Sequence, residues 1–331
     1  MTNDRNILIL KNRAIGDSLI SLSSLQYFKE LNPRAKVYFG VPRWIVPLYR
    51  NSDIAADEII PLEFSSLQNV MDLYSLLLNK KIFRVIELFP KGRSQKFFSM
   101  FSRLTGAEYF FRDYHSLELN ERQEPIIQKD LNTISAYLQK EAPNFLDYPP
   151  KFNVKKNHRS KSEIIFGVVA SRETKMWPLG NFIKLAYKIK SKFNAQIIVP
   201  VSSSSQDLEI KKELISLDRD NLISIVHLPL ESLPQRFSNA LCYIGNDTGL
   251  KHLSVSLGIK TFTFFGPEPP REWHPYDRNE HPFFYKDPLG CRTEKSYFCD
   301  LSECKSMVCL KDISVEEVYS KVGDYLQNHL G

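Results

Sequence analysis

The segment of this sequence most suggestive of chemistry is residues 244–253, IGNDTGLKHL, where an apolar run ends and a helical pattern begins. The free N–H groups at such a helix start, together with the helix dipole, favour binding of a phosphate. Thr248 and His252 are four residues apart and share one face of that helix. The pattern fits equally well a simpler structure, in which Asp247 only caps the helix and His252 packs at the surface.

A second segment of interest is residues 89–98, FPKGRSQKFF, where cationic residues meet an aromatic run directly after a strand pattern. Lys91, Arg93 and Lys96 are candidates for binding an anionic ligand. The alternative is a solvated basic helix start whose phenylalanines belong to the core. The pattern leaves both alternatives open.

Four of the five cysteines lie close together, at positions 291, 299, 304 and 309. Their spacing lacks the paired C-x2-C pattern of a strong zinc site. We therefore expect free or packed thiols, with a structural metal finger as the alternative. No other residue nearby is an evident activating base, so no nucleophilic cysteine is predicted.

The first half of the chain supplies the elements that must position these groups. Residues 6–10 and 84–89 read as buried strands, and residues 18–31 read as a helix that ends before Pro33, followed by a strand over 35–40. Such alternation of strands and helices predicts a parallel sheet covered by helices.

The same pattern restarts after a polar, proline-containing stretch between Tyr148 and Glu163, which we interpret as a linker. Five strands are predicted beyond it, over 164–169, 196–199, 222–226, 241–244 and 261–265, with helices over 181–193 and 249–257. The sequence therefore predicts two α/β domains, 1–155 and 156–331. Ligands of such sheets bind beyond the carboxyl ends of the strands.

The composition and charge of the chain limit the classes of protein to which it can belong. The chain has 331 residues, 43% hydrophobic and 25% charged, which is typical of a soluble globular protein. The net charge of +6 suits contact with phosphorylated substrates or anionic lipid headgroups, but cations are less densely clustered than in a nucleic-acid-binding protein. No apolar run is long enough to span a membrane and no signal peptide is evident, so we expect a cytoplasmic protein.

Three blocks of sequence together resemble the ADP-heptose:lipopolysaccharide heptosyltransferases, glycosyltransferase family 9. The first is residues 7–19, ILILKNRAIGDSL, which is similar to the opening strand and Gly-Asp loop of that family. The second is residues 171–178, SRETKMWP, and the third is residues 244–253 with FFGP at 264–267 and PREWHPY at 270–276. The blocks occur in the family's order and in both halves of the chain.

This resemblance implies a GT-B fold, in which two Rossmann-like domains face a central cleft, with donor binding in the second domain and acceptor binding in the first. It also implies an inverting reaction, which needs a base to deprotonate the attacking hydroxyl. Asp17 matches the family's catalytic aspartate, and its position after a strand and a glycine suits that role. The alternative is that Asp17 caps the helix that begins at Ser18.

The resemblance assigns the donor phosphates to Lys175, because a fixed cation stabilises a leaving diphosphate. It places the adenine near Leu228, although an ordinary turn fits that position as well. The family's ribose-binding glutamate has no clean counterpart in residues 202–207. We expect the unusual Lys251 to be a solvated helix residue, with an extra phosphate contact as the alternative. The predicted donor-binding residues are Ser171, Arg172, Lys175, Leu228, Asp247, Thr248, Gly249 and His252.

In the first domain the resemblance implies that basic residues after a strand bind the phosphate or carboxylate groups of the acceptor. The predicted acceptor-binding residues are Arg13, Lys91, Arg93 and Lys96. With a lysine and a helix N-terminus to neutralise the diphosphate, neither a metal nor a cofactor is predicted.

We therefore expect an inverting transferase that moves heptose from ADP-heptose to a lipopolysaccharide core acceptor at the inner face of the cytoplasmic membrane. The alternatives are another nucleotide sugar or a protein acceptor, a sugar-nucleotide epimerase of the same architecture, and a non-catalytic module that binds sugar nucleotides. Epimerisation would proceed without any acceptor, so donor turnover with and without acceptor separates the two enzyme classes.

Overall fold

The computed structural model describes residues 6–113, 124–155, 162–292 and 304–331. The chain forms two compact units, Met1–Asn153 and Val154–Gly331. This division falls two residues before the predicted one, and residues 156–161 of the expected linker lie outside the described part of the chain.

The first unit is built on a parallel sheet. In chain order, its described strands are β1 (Asn6–Leu10), β2 (Lys36–Pro42), β3 (Glu58–Leu62), β4 (Arg84–Glu87) and β5 (Glu108–Phe111). Their spatial order is β3-β2-β1-β4-β5. β1 lies at the centre because Ile7 to Leu10 form an uninterrupted apolar run, and all four side chains are fully buried.

Helices cover this sheet, and α3 and α4 pack together on one part of its core. The described helices of the unit are α1 (Ile15–Ile20), α2 (Leu22–Leu31), α3 (Leu67–Asn79), α4 (Arg93–Thr105) and α5 (Ile126–Leu138), with a 3₁₀ helix at Arg43–Tyr49 and a single 3₁₀ turn at Phe145–Asp147. The core between the sheet, α3 and α4 contains Phe97, Phe98 and Phe101, which are all buried.

The second unit has a larger parallel sheet. Its described strands are β6 (Glu163–Gly167), β7 (Gln196–Val201), β8 (Ser224–His227), β9 (Ala240–Asn246), β10 (Lys260–Phe265) and β11 (Phe283–Tyr285). Their spatial order is β11-β10-β9-β6-β7-β8, the strand order of a dinucleotide-binding Rossmann sheet.

The helices of the second unit bury one continuous apolar cluster that includes Trp177 and Phe264, whose rings stack at 4.4 Å. In the described residues these helices are α6 (Leu179–Lys190), α7 (Ser205–Leu217), α8 (Leu233–Ser238), α9 (Gly249–Ser256), α10 (Pro270–Trp273), α11 (Val308–Lys311) and α12 (Val315–Leu330), with 3₁₀ turns at Glu173–Lys175 and Leu230–Ser232. None of the described helices is both long enough and apolar enough to cross a bilayer.

One predicted helix is divided in the structure. The pattern over residues 18–31 forms two helices that meet at Ser21, and the first begins at Ile15. The hydroxyl of Ser21 lies 2.9 Å from the carbonyl oxygen of Asp17, four residues earlier. A serine that bonds back to the preceding turn bends a helix, which accounts for the break.

Candidate functional site

The first candidate site lies where the strand order of the first sheet reverses. β1 and β4 are neighbours, although the chain reaches β4 only after passing through β2 and β3 on the other side. Loops that follow two such strands diverge and leave a crevice at the carboxyl edge of the sheet. The predicted residues Arg13 and Asp17 follow β1, while Lys91, Arg93 and Lys96 follow β4.

Asp17 lies in the first turn of α1 and is 7% exposed. Helix α1 begins two residues before it, and its N-cap is Ala14, so Asp17 is not the helix cap that the alternative required. The guanidinium of Arg13 lies 3.7 Å from the Asp17 carboxylate and 4.3 Å from the centre of the Phe89 ring. Arg13 therefore links the two loops of this site.

A buried ion pair lies beneath this loop, and sequence reasoning missed its role. Lys11 Nζ lies 2.5 Å from Asp130 Oδ1, and each side chain is 1% exposed. The Ser21 hydroxyl is 2.9 Å both from Asp130 Oδ2 and from the Asp17 carbonyl oxygen. The pair therefore fixes α5 to the segment after β1 that leads into Asp17 and α1.

In the segment after β4, the aromatic and the cationic residues differ in burial. Phe97, Phe98 and Phe101 belong to the core, as the simpler interpretation of the pattern predicts, whereas Lys91, Arg93 and Lys96 are exposed. Arg93 donates a hydrogen bond of 3.2 Å to the Phe64 carbonyl. The lysines and Arg93 stand at the carboxyl edge of the sheet, and their role in acceptor binding stays a prediction.

Glu87, at the end of β4, is a buried carboxyl that no sequence pattern singles out. Ser94 donates a 2.6 Å hydrogen bond to it, and Tyr109 donates a second one. Burial raises the pKa of Glu87 to about 7, although both hydrogen bonds act in the opposite direction.

The second candidate site lies where the order of the second sheet reverses, between β6 and β9. Apart from Leu228, which follows β8, every predicted donor-binding residue lies in the segment after one of these two strands. Ser171, Arg172 and Lys175 follow β6, and Asp247, Thr248, Gly249 and His252 follow β9.

The start of α9 has the form expected of a phosphate site. Thr248 is the N-cap, with extended backbone, and its side chain does not bond the first turn of the helix. Asp247 does not cap this helix, because its carboxylate pairs with two lysines instead. Lys175 Nζ lies 3.2 Å from one oxygen and Lys251 Nζ lies 2.8 Å from the other.

The predicted environment of Lys251 is wrong. Its side chain is 0% exposed, and its ammonium also donates a 2.7 Å hydrogen bond to the Trp273 carbonyl. Burial alone would raise the pKa of Asp247, but Lys251 and Lys175 hold that pKa below its usual range. Burial in turn lowers the pKa of Lys251 to about 8, against the effect of Asp247.

His252 is buried rather than at the surface, so the simpler interpretation of this residue is also wrong. Its Nδ1 lies 2.7 Å from the Tyr276 hydroxyl. Burial, and then the nearby Lys251 ammonium, lower the pKa of His252 well below its usual value. The imidazole is therefore neutral and acts as a hydrogen-bonding group.

A buried amide holds the two segments of this site together. Asn246 Oδ1 accepts a 2.8 Å hydrogen bond from the Trp177 backbone N–H, and its Nδ2 donates one of 2.7 Å to the Val168 carbonyl. A fully buried amide needs such partners. Asn246 thereby fixes the segment of Lys175 relative to the start of α9.

The strands beneath this amide approach each other unusually closely. Gly167 and Gly245 are opposite one another in the β6–β9 register. A Cβ added to Gly167 would lie 2.0 Å from the Tyr243 hydroxyl oxygen, and one added to Gly245 would lie 2.5 Å from the Gly167 carbonyl oxygen. Gly167 leaves room for Tyr243, whose hydroxyl donates to the Asn246 carbonyl at 2.9 Å, and Gly245 leaves room for the backbone of Gly167.

The remaining donor-site predictions occupy more open positions. Ser171 is exposed, and Arg172 forms an ion pair with Glu268, which follows β10. Leu228 is half-buried in the turn after β8. In the region expected to bind the ribose, both oxygens of Asp207 are engaged locally, by the Ser202 N–H and the Ser204 hydroxyl.

The late cysteines that the structure describes do not form a metal site. Cys291, Cys304 and Cys309 are free thiols around one small depression, and Cys299 lies outside the described residues. Within residues 6–113, 124–155, 162–292 and 304–331, no three His, Cys, Asp or Glu side chains converge closely enough to hold a metal ion.

Comparison with solved structures defines the class of fold. E. coli ADP-heptose lps heptosyltransferase II has a TM-score of 0.76 at 16% identity, over 98% of this chain and 99% of the other. The glycosyl transferase family 9 protein from Veillonella parvula has a TM-score of 0.75 at 14% identity, over 98% of each chain. With its two parallel α/β sheets, this protein has the GT-B fold.

The chain belongs to glycosyltransferase family 9. The model of that family, described as "Glycosyltransferase family 9 (heptosyltransferase)", matches residues 102–303. Lipooligosaccharide heptosyltransferase 2 of Campylobacter jejuni is 24% identical over 158 residues, which are 46% of this chain and 47% of that protein. The chain thus spans about half the length of the curated relatives it matches, and the Asp17 loop precedes the family match.

Proposed function

We propose that this protein is an inverting heptosyltransferase that moves heptose from ADP-heptose to a lipopolysaccharide core or related surface-glycan acceptor. The observation that carries the proposal is the start of α9, where open backbone N–H groups adjoin Asp247 and its two lysines. These groups suit a diphosphate. Family membership supports an ADP-linked donor, as does the similarity in fold to E. coli heptosyltransferase WaaC, which was solved with ADP.

In the proposed reaction the acceptor hydroxyl attacks the anomeric carbon as the bond to the diphosphate oxygen breaks. The electron pair of that bond leaves with ADP, and the α9 N-terminus and Lys175 stabilise the growing negative charge. Asp17 takes the proton of the attacking hydroxyl. These cationic groups supply the stabilisation that a divalent metal would otherwise provide, so we propose a reaction that needs no metal or cofactor.

The test is transfer from ADP-heptose by wild type and Asp17→Asn. We expect the variant to lose about 10²–10⁴-fold in rate, since it lacks the base, with ADP affinity unchanged. Asp324→Asn, an exposed change in α12, is the matched control and should transfer normally. The product should have the anomeric configuration opposite to that of the donor.

Two results would contradict the proposal. Consumption of the donor at the same rate with no acceptor present would identify an epimerase. Full activity of Asp17→Asn would remove that carboxylate from the reaction. A thermal-shift screen of nucleotide sugars, in which a bound donor stabilises the protein according to its affinity, tests the donor separately. Acceptors should include protein as well as glycan substrates.

We also propose that the protein works in the cytoplasm and contacts the inner membrane through an α3–α4 surface formed by Leu67, Met71, Met100 and Leu104. All four side chains are exposed. The two helices are neighbours, with the Tyr74 and Phe101 rings 5.4 Å apart. Exposed apolar side chains on adjoining helices are typical of an interaction surface.

The charge beside the α3–α4 surface favours an anionic bilayer as its partner. Helix α4 carries Arg93, Lys96 and Arg103, all exposed, and no acidic residue, while α3 carries one exposed acid, Asp72, so the two helices have a net charge of +2. Each cation close to an anionic membrane contributes about 1 kcal/mol, or roughly fivefold in partitioning. The first turn of α4 holds the predicted acceptor contacts Arg93 and Lys96, which suits an acceptor that is itself held in a membrane.

Sedimentation with vesicles tests this contact. We expect binding to phosphatidylcholine vesicles that contain phosphatidylglycerol, weakened by salt, and little binding to phosphatidylcholine alone. Met100→Gln with Leu104→Gln should abolish it, whereas Leu208→Gln with Ile215→Gln, which changes two other exposed apolar residues on α7, should not. Equal binding by both double variants would contradict the assigned surface.

A further inference from the structure

Lys251 and Lys175 pair with the same carboxylate, but they differ in their access to solvent. The Lys175 side chain is 18% exposed, and its ammonium lies 3.2 Å from the Asp247 carboxylate. The Lys251 ammonium is enclosed by the Asp247 carboxylate, the Trp273 carbonyl and the Phe265 and Tyr276 rings, 5.2 and 5.7 Å from its nitrogen. Of the two lysines, Lys175 is therefore the one placed to reach a ligand that arrives from solvent.

From this difference we infer that Lys251 is a positioning residue, which neutralises Asp247 permanently so that Lys175 is released to the donor diphosphate. The inference rests on the proposed function, since it requires a diphosphate at the start of α9. Lys251 is not itself a phosphate ligand, because its ammonium already has an anion and a carbonyl as partners and is shielded by two rings.

The charges at the helix start explain why a second lysine is needed. Asp247 carries −1, Lys175 carries +1, and the neighbouring rings of His252 and His274 are held neutral mainly by burial. Without Lys251, the charges of Asp247 and Lys175 would cancel. Lys175 could then approach a diphosphate only by leaving the buried Asp247 carboxylate unpaired. With Lys251, the net charge is +1, and Asp247 keeps a partner when Lys175 moves.

Binding of ADP and of inorganic pyrophosphate, measured by calorimetry at neutral pH, tests this role. We expect Lys251→Met to weaken both by roughly tenfold to a hundredfold, because one positive charge is lost beside the diphosphate. Lys188→Met, which removes a lysine of α6 that pairs with Glu316 of α12, is the matched control and should bind both as wild type does.

The double variant Lys251→Met/Asp247→Asn separates positioning from direct contact. Both carboxylate oxygens of Asp247 are paired with lysines, so Asp247 contributes to ADP binding only through them. The double variant removes this carboxylate together with Lys251 and leaves Lys175 free, so ADP affinity should return to within about threefold of wild type. A direct phosphate contact by Lys251 predicts no such recovery. Because the double variant buries no unpaired charge, it remains measurable even if the single variant does not fold.

The outcomes are distinct. A double variant that binds ADP tenfold more weakly than wild type, or a folded Lys251→Met with normal affinity, overturns the inference while leaving the proposed donor intact. If wild type binds pyrophosphate but not ADP, the proposal of an adenine-nucleotide donor is refuted. The role of Lys251 can then still be tested with pyrophosphate. Wild type that binds neither ligand refutes both proposals.

Discussion

The buried pair of Lys11 and Asp130 offers the sharpest test of how the first candidate site is held in place. Lys11→Met replaces the ammonium by an apolar group of similar length and leaves the Asp130 carboxylate inside the protein. Of the partners described for that carboxylate, only the Ser21 hydroxyl at 2.9 Å then remains. A buried charge that loses its partner is strongly destabilising.

The size of the stability loss in Lys11→Met follows from burial. Both side chains of the pair are 1% exposed, so solvent cannot compensate the charge that remains on Asp130. Removing one partner of such a pair costs about 3–5 kcal/mol in the free energy of unfolding. For a unit of this size, each kcal/mol shifts the melting temperature by roughly 2–4 °C. We therefore expect the first unit of Lys11→Met to melt roughly 6–20 °C below wild type.

Differential scanning calorimetry and urea unfolding measure this change, with two comparisons. Lys29→Met breaks a surface pair of 2.8 Å with Asp57 and should cost about 1 kcal/mol or less. Lys11→Met/Asp130→Leu removes both charges and should recover most of the stability. A Lys11→Met protein within about 1 kcal/mol of wild type, or a double variant no more stable than the single, would refute this reasoning.

Three further predictions concern other parts of the sites. Lys175→Ala should weaken ADP binding and slow transfer, measured by calorimetry and by product formation; an unchanged rate would exclude this lysine from the mechanism. Gly167→Ala should lower the free energy of unfolding in urea by about 1–3 kcal/mol, because its methyl group would meet Tyr243, and an unaffected protein would contradict the close approach. Glu87 stabilises the fold while protonated, since its folded pKa of about 7 exceeds the ordinary 4.5, so this stability is present below pH 4.5 and is lost as pH rises through 7. Relative to Glu87→Gln, wild type should therefore lose up to about 3 kcal/mol over that range, and parallel pH curves for the two proteins would contradict the assignment.

The strands that sequence reasoning locates best are the central ones. Apolar runs such as Asn6–Leu10 and Lys260–Phe265 are long and buried on both faces, and therefore visible without knowledge of their partners. The edge strands Glu108–Phe111 and Phe283–Tyr285 escape individual prediction, because they are short and their burial is incomplete.

Pairs of polar side chains that are far apart in the sequence are harder to predict. Lys11 and Asp130 are 119 positions apart, and no local pattern joins them. The prediction for Lys251 is wrong because helical spacing indicates a face of a helix, but not what covers that face. A usable signal exists, since Asp247 precedes Lys251 by four residues, a spacing that favours an ion pair.

The reversal of strand order in each sheet affects how substrate specificity can evolve in proteins with this fold. The reactive groups of each unit are borne on segments at one edge, whereas the strands below form a self-contained core. Under the proposed function, insertions or substitutions after β4 would alter which alcohol is accepted without disturbing the donor-binding segments after β6 and β9. Specificity for the two proposed substrates would then evolve separately, and we expect exchange of only the 89–96 segment between homologues to change the acceptor.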